Sequence, residues 1–151
     1  MMTRKQLQTR AKIAKMAGQN KRHFLNRNAR HLKKPLGDIA GLAKLVFHLI
    51  EVPIGSASCI FNRHICEEEC IYILEGAGTV RIGATVLQVE ADDFIADAAG
   101  REVHDLRNTG FNILKYTIVG QRLDLILSTI MNRHGGSIAQ MAKRVIFLIL
   151  Q

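Results

Sequence analysis

Apolar and polar residues alternate with a period of two through most of the middle of this chain, and the short runs are separated by turn residues. Lys44 to Val52 (K-L-V-F-H-L-I-E-V) is rich in β-formers and is turned by Pro53-Ile54-Gly55. Ala57 to Asn62 is expected as the next strand, followed by Glu69 to Leu74 and a hairpin turn at Glu75-Gly76-Ala77-Gly78. Thr79 to Ile82 and Thr85 to Val89 are expected to pair across Gly83-Ala84. Phe94 to Ala96 is short, and Glu102 to Asn108 and Asn112 to Val119 complete the set across Thr109-Gly110. Short strands at near-regular spacing with no intervening helix predict an antiparallel sandwich or barrel, an all-β fold.

The flanks break this rhythm. Thr3 to Ala17 reads as a basic helix with a narrow apolar stripe, ended by Gly18-Gln19-Asn20. Lys21 to Leu42 has irregularly spaced anchors such as Phe24, Leu32 and Ile39, which suit an extended lead-in draped over a sheet. Residues 1–34 are thus an arm and lead-in, 35–123 the barrel and 124–151 an atypical tail. The tail suggests two short helices, about Asp124 to Asn132 and Ser137 to Ile149, split by Gly135-Gly136.

Charge sharpens the division. Of 21 Lys and Arg in the 151 residues, eleven lie between Met1 and Gly37, which has no Asp or Glu. From Asp38 onward ten basic residues face thirteen acidic ones, so the overall +8 belongs to the arm. Such an arm can touch phosphate backbone or remain solvated. Solvation is preferred, because no aromatic residues punctuate the basic ones as single-strand binding would need. Residues up to about Gln19 are expected to be mobile, since they carry few apolar anchors.

The longest apolar runs fall far short of the roughly 20 residues a membrane-spanning helix needs. No apolar signal core follows the basic start. Cys59, Cys66 and Cys70 lack framework spacing, so free thiols and a cytoplasmic location are expected.

Candidate chemistry concentrates between Asn62 and Gly76 (N-R-H-I-C-E-E-E-C-I-Y-I-L-E-G). Alternation puts Asn62 and His64 on one face, and Glu67, Glu69, Ile71 and Ile73 on one face. Glu102, His104, Leu106 and Asn108 share a face on a later strand. Two imidazoles and a carboxylate suit Mn, Fe, Ni, Co or Zn. Glu67 and Glu68 are expected on a solvated acidic edge, and His48 as a sheet residue bonded locally. Cys66 is either a thiolate donor or, preferably, an exposed free thiol.

These residues resemble the cupin superfamily, the small double-stranded β-helix barrels, and in particular its small bacterial single-domain members. The first motif of that family runs Gly, a five-residue gap, His-x-His, three or four residues, Glu, six residues, Gly. Gly55 opens it here with a gap one residue longer. Asn62 stands at the first His, His64 at the second, Glu69 at the Glu and Gly76 at the closing Gly. In the second motif Asp92 replaces Gly and Ala98 replaces Pro, while Gly100 matches. His104 follows after three residues instead of two, and Asn108 lies at its place beyond.

The resemblance covers Leu36 to about Leu123. It implies a divalent metal held by His64, Glu69 and His104, with Asn62 a poor substitute for imidazole at the fourth place. It also implies a small-molecule ligand, while barrel edges and the lead-in strand lead to the expectation of a homodimer. Three function classes stay open: a small-molecule-binding module with a weakened metal site, a metal-dependent enzyme of oxygenase or sugar-isomerase type, and a regulatory module whose arm contacts nucleic acid. The tail departs from the resemblance. Codons exist for Leu125 to Leu150 that, read one base out of register, spell D-I-V-D-Y-H-E-Q-A-W-W-K-Y-R-S-N-G-K-T-C-D-I-P-H-S without a stop, a string closer to the family tail. The gene's own codons test that frame-shift reading.

Overall fold

The computed structural model describes residues 5–59 and 61–123, together with the backbone of 127–131, 137–141 and 148–149. Thirteen strands and two short helices occur among them. The strands are β1 (Gln19–His23), β2 (Asn26–Lys34), β3 (Leu45–Val52), β4 (Asn62–His64), β5 (Glu69–Glu75), β6 (Ala77–Ile82), β7 (Thr85–Glu90), β8 (Phe94–Asp97), β9 (His104–Arg107), β10 (Leu114–Gln121), β11 (Leu127–Met131), β12 (Ser137–Met141) and β13 (Leu148–Ile149). The helices are α1 (Arg10–Lys15) and α2 (Leu36–Ala40).

Two antiparallel sheets form a β-barrel of jelly-roll type. One runs β1-β2-β3-β10-β5-β8 and the other β13-β12-β11-β4-β9-β6-β7. Period-two patterning explains which side of each strand faces inward. Ile71 and Ile73 of β5 are buried while Tyr72 and Leu74 are exposed, and Ile50 and Val52 of β3 are buried likewise. With Val80, Val89, Leu106, Leu114 and Tyr116 they fill the space between the sheets.

The expected pairing of β6 with β7 is present, with Ile82 opposite Thr85. The expected hairpin at Glu75 to Gly78 is not. β5 pairs β10 and β8, whereas β6 pairs β7 and β9, so Gly76 is a corner at which the chain changes sheets. Its φ of +86° suits glycine, and a Cβ there would lie 2.5 Å from the Ile113 carbonyl oxygen. Thr109-Gly110 likewise links β9 to a strand of the opposite sheet rather than closing a hairpin. Ala57 to Asn62 is no continuous strand. Ala57 makes isolated bridges to Ala29 and Arg107, and regular pairing begins at Asn62.

The flanks differ more. The lead-in is not draped: β1 and β2 form a hairpin, and β2 adds to the edge of β3 with Lys33 opposite Ile50. Pro35 starts α2, and Gly41 ends it in the left-handed conformation, its amide donating to the Asp38 and Gly37 carbonyls. In the arm, α1 is shorter than Thr3 to Ala17 and buries no residue. Lys34 Nζ donates to its Ile13 carbonyl at 3.0 Å. The tail segments are strands, which corrects the two expected helices. β11 pairs with β12 and with β4, placing Ser128 opposite His64 and Ile130 opposite Asn62. The three-residue β4 offers an open ladder edge, and pairing there outweighs the weak helical pattern of a segment rich in Ile and Thr. No helix among the described residues is long and apolar enough to cross a membrane.

Candidate metal centre

Both sheets contribute to one cluster. From one sheet, β4 presents Asn62 and His64, and β9 presents His104 directly opposite Asn62. From the other, β5 opens with Glu69, whose neighbour in register on β8 is Asp97. His64, Glu69 and His104 each bring a ligand atom to within 4.8 Å of the others. His64 Nε2 lies 3.7 Å from Glu69 Oε2, and the two imidazole centroids are 5.8 Å apart. All three line a cavity of about 260 Å³ between the sheets, as does Asn62. That volume is near the lower end for small-molecule sites.

Burial sets the electrostatics. Desolvation pushes the Glu69 carboxyl up to about 7 against the pull of His64, and Asp97 adds to the rise. Desolvation lowers His104, with Asp97 opposing. A half-buried carboxylate facing two imidazoles, with no lysine or arginine pairing with it among the described residues, fits a divalent cation. The Oδ1 of Asn62 is buried without a hydrogen-bond partner among the described residues, so a neutral oxygen donor borders the same space. The residues therefore fit a metal, with two nitrogens, one carboxylate and one amide oxygen available.

Two sequence expectations change here, for Glu67 and His48. Glu67 is not on a solvated edge: it is 4% exposed, and its Oε1 lies 2.7 Å from His64 Nδ1. The turn between β4 and β5 folds it back under the imidazole, whereas Glu68 is exposed as expected. His48 is not bonded locally through Nδ1, which is buried without a partner among the described residues, and the residue lines the cavity. Asn108 lies outside the cluster and braces the barrel. Its Nδ2 donates to the Val52 and Asn112 carbonyls at 2.8 Å each, and its Oδ1 accepts from the Gly110 amide.

Cys66 is an exposed free thiol and does not join the cluster. Cys59 lines the cavity but is not part of the cluster, and burial pushes its thiol up to about 12.

Asp97 was not singled out by sequence, yet its Oδ2 lies 3.1 Å from His104 Nδ1. The signal was present: Asp97 keeps the parity of Ile95, which packs against the core. The rest of the cavity wall comes from the lead-in hairpin. His31 and Lys33 of β2 join His48 of β3. His31 Nδ1 donates to the Ser58 carbonyl at 2.8 Å, which leaves Nε2 facing elsewhere. Deeper in, the Ser58 and Tyr116 hydroxyls are hydrogen-bonded to each other. Lys33 makes no ion pair among the described residues.

Comparisons with known proteins agree with this architecture. A family profile described as Cupin domain matches residues 48–120. No curated protein matches. Among solved structures, the chain is 32% identical to a protein of Acidithiobacillus ferrooxidans provisionally named a sugar phosphate isomerase, over 97% of this chain and 93% of that one, with a TM-score of 0.90. A sugar phosphate isomerase of the cupin superfamily from Silicibacter pomeroyi aligns at 20% identity over 88% of each chain, with a TM-score of 0.75. A predicted oxalate decarboxylase from Thermotoga maritima aligns at 21% over 74% of this chain and 96% of that one, with a TM-score of 0.63. The last two likenesses concern the fold. Matched profile, extended sequence identity and two-sheet barrel together lead to one conclusion: the chain belongs to the cupin superfamily.

Proposed function

We propose that this cupin binds a divalent metal through His64, Glu69 and His104 and holds a small anionic, sugar-like molecule against it in the barrel lumen. The observation that carries the reading is the convergence of those three donors, from two sheets, in a cavity that Lys33, His31 and His48 also line. A bound metal would polarise the hydroxyl or carbonyl oxygens of such a ligand. Lys33 would pair with its charged group, and His31 and His48 would supply hydrogen bonds. Among enzymatic readings, isomerisation of a phosphorylated sugar is favoured over oxygenation, because the relative at 32% identity carries that name. Reaction type is a matter of the site and not of the barrel.

Calorimetric titration of metal-loaded protein with matched phosphorylated and neutral sugars tests the ligand class. Phosphorylated sugars are expected to bind at least about tenfold more tightly, equivalent to roughly 1.4 kcal/mol. Lys33→Gln is expected to erase that preference while leaving metal content unchanged. Equal affinity for the two sets would defeat the anionic reading. Isomer interconversion followed by NMR tests the enzymatic one.

Asn62 supplies an independent check of the metal. It lies directly opposite His104 and borders the cavity. Asn62→His exchanges a weak neutral oxygen donor for imidazole and is expected to raise metal affinity about tenfold, the scale on which changes around a metal shell act. An unchanged dissociation constant would mean that position 62 does not reach the ion.

A further inference from the structure

Glu67 follows His64 by three residues, inside the turn that joins β4 to β5. With Asp105 it is one of two buried charged residues among the described residues. A buried carboxylate is costly unless a specific partner compensates for it. Its partner is His64: Oε1 to Nδ1 is 2.7 Å, and the side chains are 6% and 18% exposed. The other imidazole nitrogen, Nε2, faces Glu69. The ring is therefore held between two carboxylates, one at each nitrogen.

Neutral imidazole carries one N–H, and its position is set by what the ring meets on each side. A carboxylate has no hydrogen to donate, so Glu67 Oε1 accepts from Nδ1, which fixes the hydrogen there and leaves the Nε2 lone pair directed into the cavity. The other histidine differs: Asp97 Oδ2 lies 3.1 Å from His104 Nδ1, but neither atom makes a hydrogen bond among the described residues.

We propose that Glu67 is a positioning residue that fixes His64 as an Nε2 donor, and so sets the metal affinity of the site without touching the metal. The proposal rests on the metal reading above and adds to it a residue outside the ligand set. Carboxylates placed in this way typically change metal affinity by about 10–100-fold when removed.

The test has two readouts on the full chain. The first is the imidazole nitrogen spectrum of metal-free protein, which reports which nitrogen carries the hydrogen. The second is the dissociation constant for Mn²⁺ by titration. In wild type, His64 is expected to show Nδ1–H. E67M, of similar volume and without an acceptor, is expected to lose that single state and to bind Mn²⁺ at least tenfold more weakly. E67A serves equally where E67M does not fold. E67Q keeps an acceptor oxygen in place and is expected to retain Nδ1–H and to lose less affinity than E67M. Unchanged imidazole signals in both E67M and E67A would overturn the proposal. So would a fall in affinity without any change at His64. Wild type that binds no Mn²⁺ would instead end the metal reading, while the imidazole spectrum still decides on Glu67.

Discussion

Replacing His64 or His104 with alanine is expected to strip the protein of divalent metal, with affinity falling by at least about a hundredfold. Purified wild type is expected to carry less than one equivalent, because Asn62 occupies the place of a stronger imidazole ligand. The size of the effect follows from the donor count. Three strong donors meet in the cavity, and either substitution removes one of the two nitrogens. Loss of a direct ligand should exceed the roughly 10–100-fold cost of losing an outer partner. His64→Ala also leaves Glu69 with less charge compensation, since His64 is the group that opposes its desolvation. Metal analysis of the purified variants checks this. Full occupancy that survives the double substitution would place the ligands elsewhere.

The largest effect on stability is expected at Asn108. Its side chain is 1% exposed and makes three hydrogen bonds that tie the end of β3 to the β9–β10 connection. Asn108→Ala removes a donor from two carbonyls and an acceptor from the Gly110 amide, and it leaves a void. Each buried polar group stranded without a partner costs about 1–3 kcal/mol. Partial rescue by water reduces the sum, so a net loss of about 3 kcal/mol is expected, and a fall in melting temperature of about 10 °C. Denaturant unfolding measures it. A loss below about 1 kcal/mol would show that water replaces the amide at no cost. The side chain of Asn108 therefore serves the architecture of the barrel and stands outside the His64, Glu69 and His104 cluster.

The barrel was legible because its strands obey a period of two and its turns are marked by Gly and Pro. That rule puts Ile71 and Ile73 on one face, and both are buried while the intervening Tyr72 is exposed. It also put His64, Glu69 and His104 on inward faces. Periodicity says nothing about which sheet a strand joins. Gly76 therefore read as a hairpin when it is a corner between sheets, and the lead-in hairpin was missed because β1 and β2 lack alternation. Their burial comes from pairing at the β3 edge. Glu67 reads as part of a solvated acidic edge for a related reason, although parity groups it with Glu69. Alternation applies within a strand, and Glu67 sits in a turn, where tertiary contact with His64 decides its side. Lys33 and His31 read as parts of a basic arm, yet they belong to the cavity wall because β2 is a strand of the barrel. Tail strand β11 pairs with β4, and β12 pairs with β11, long-range pairing that no local pattern announces. We keep the out-of-frame origin of 125–151 as a proposal about the gene, which its codons decide.

The central claim is that one ion binds between the sheets, on His64, Glu69 and His104. Anomalous scattering from crystals grown with Mn²⁺ locates such an ion directly. The account predicts a single strong peak in the lumen, within bonding distance of His64 Nε2, the Glu69 carboxylate and a His104 nitrogen. A peak at other residues, or an empty lumen at saturating Mn²⁺, would contradict it.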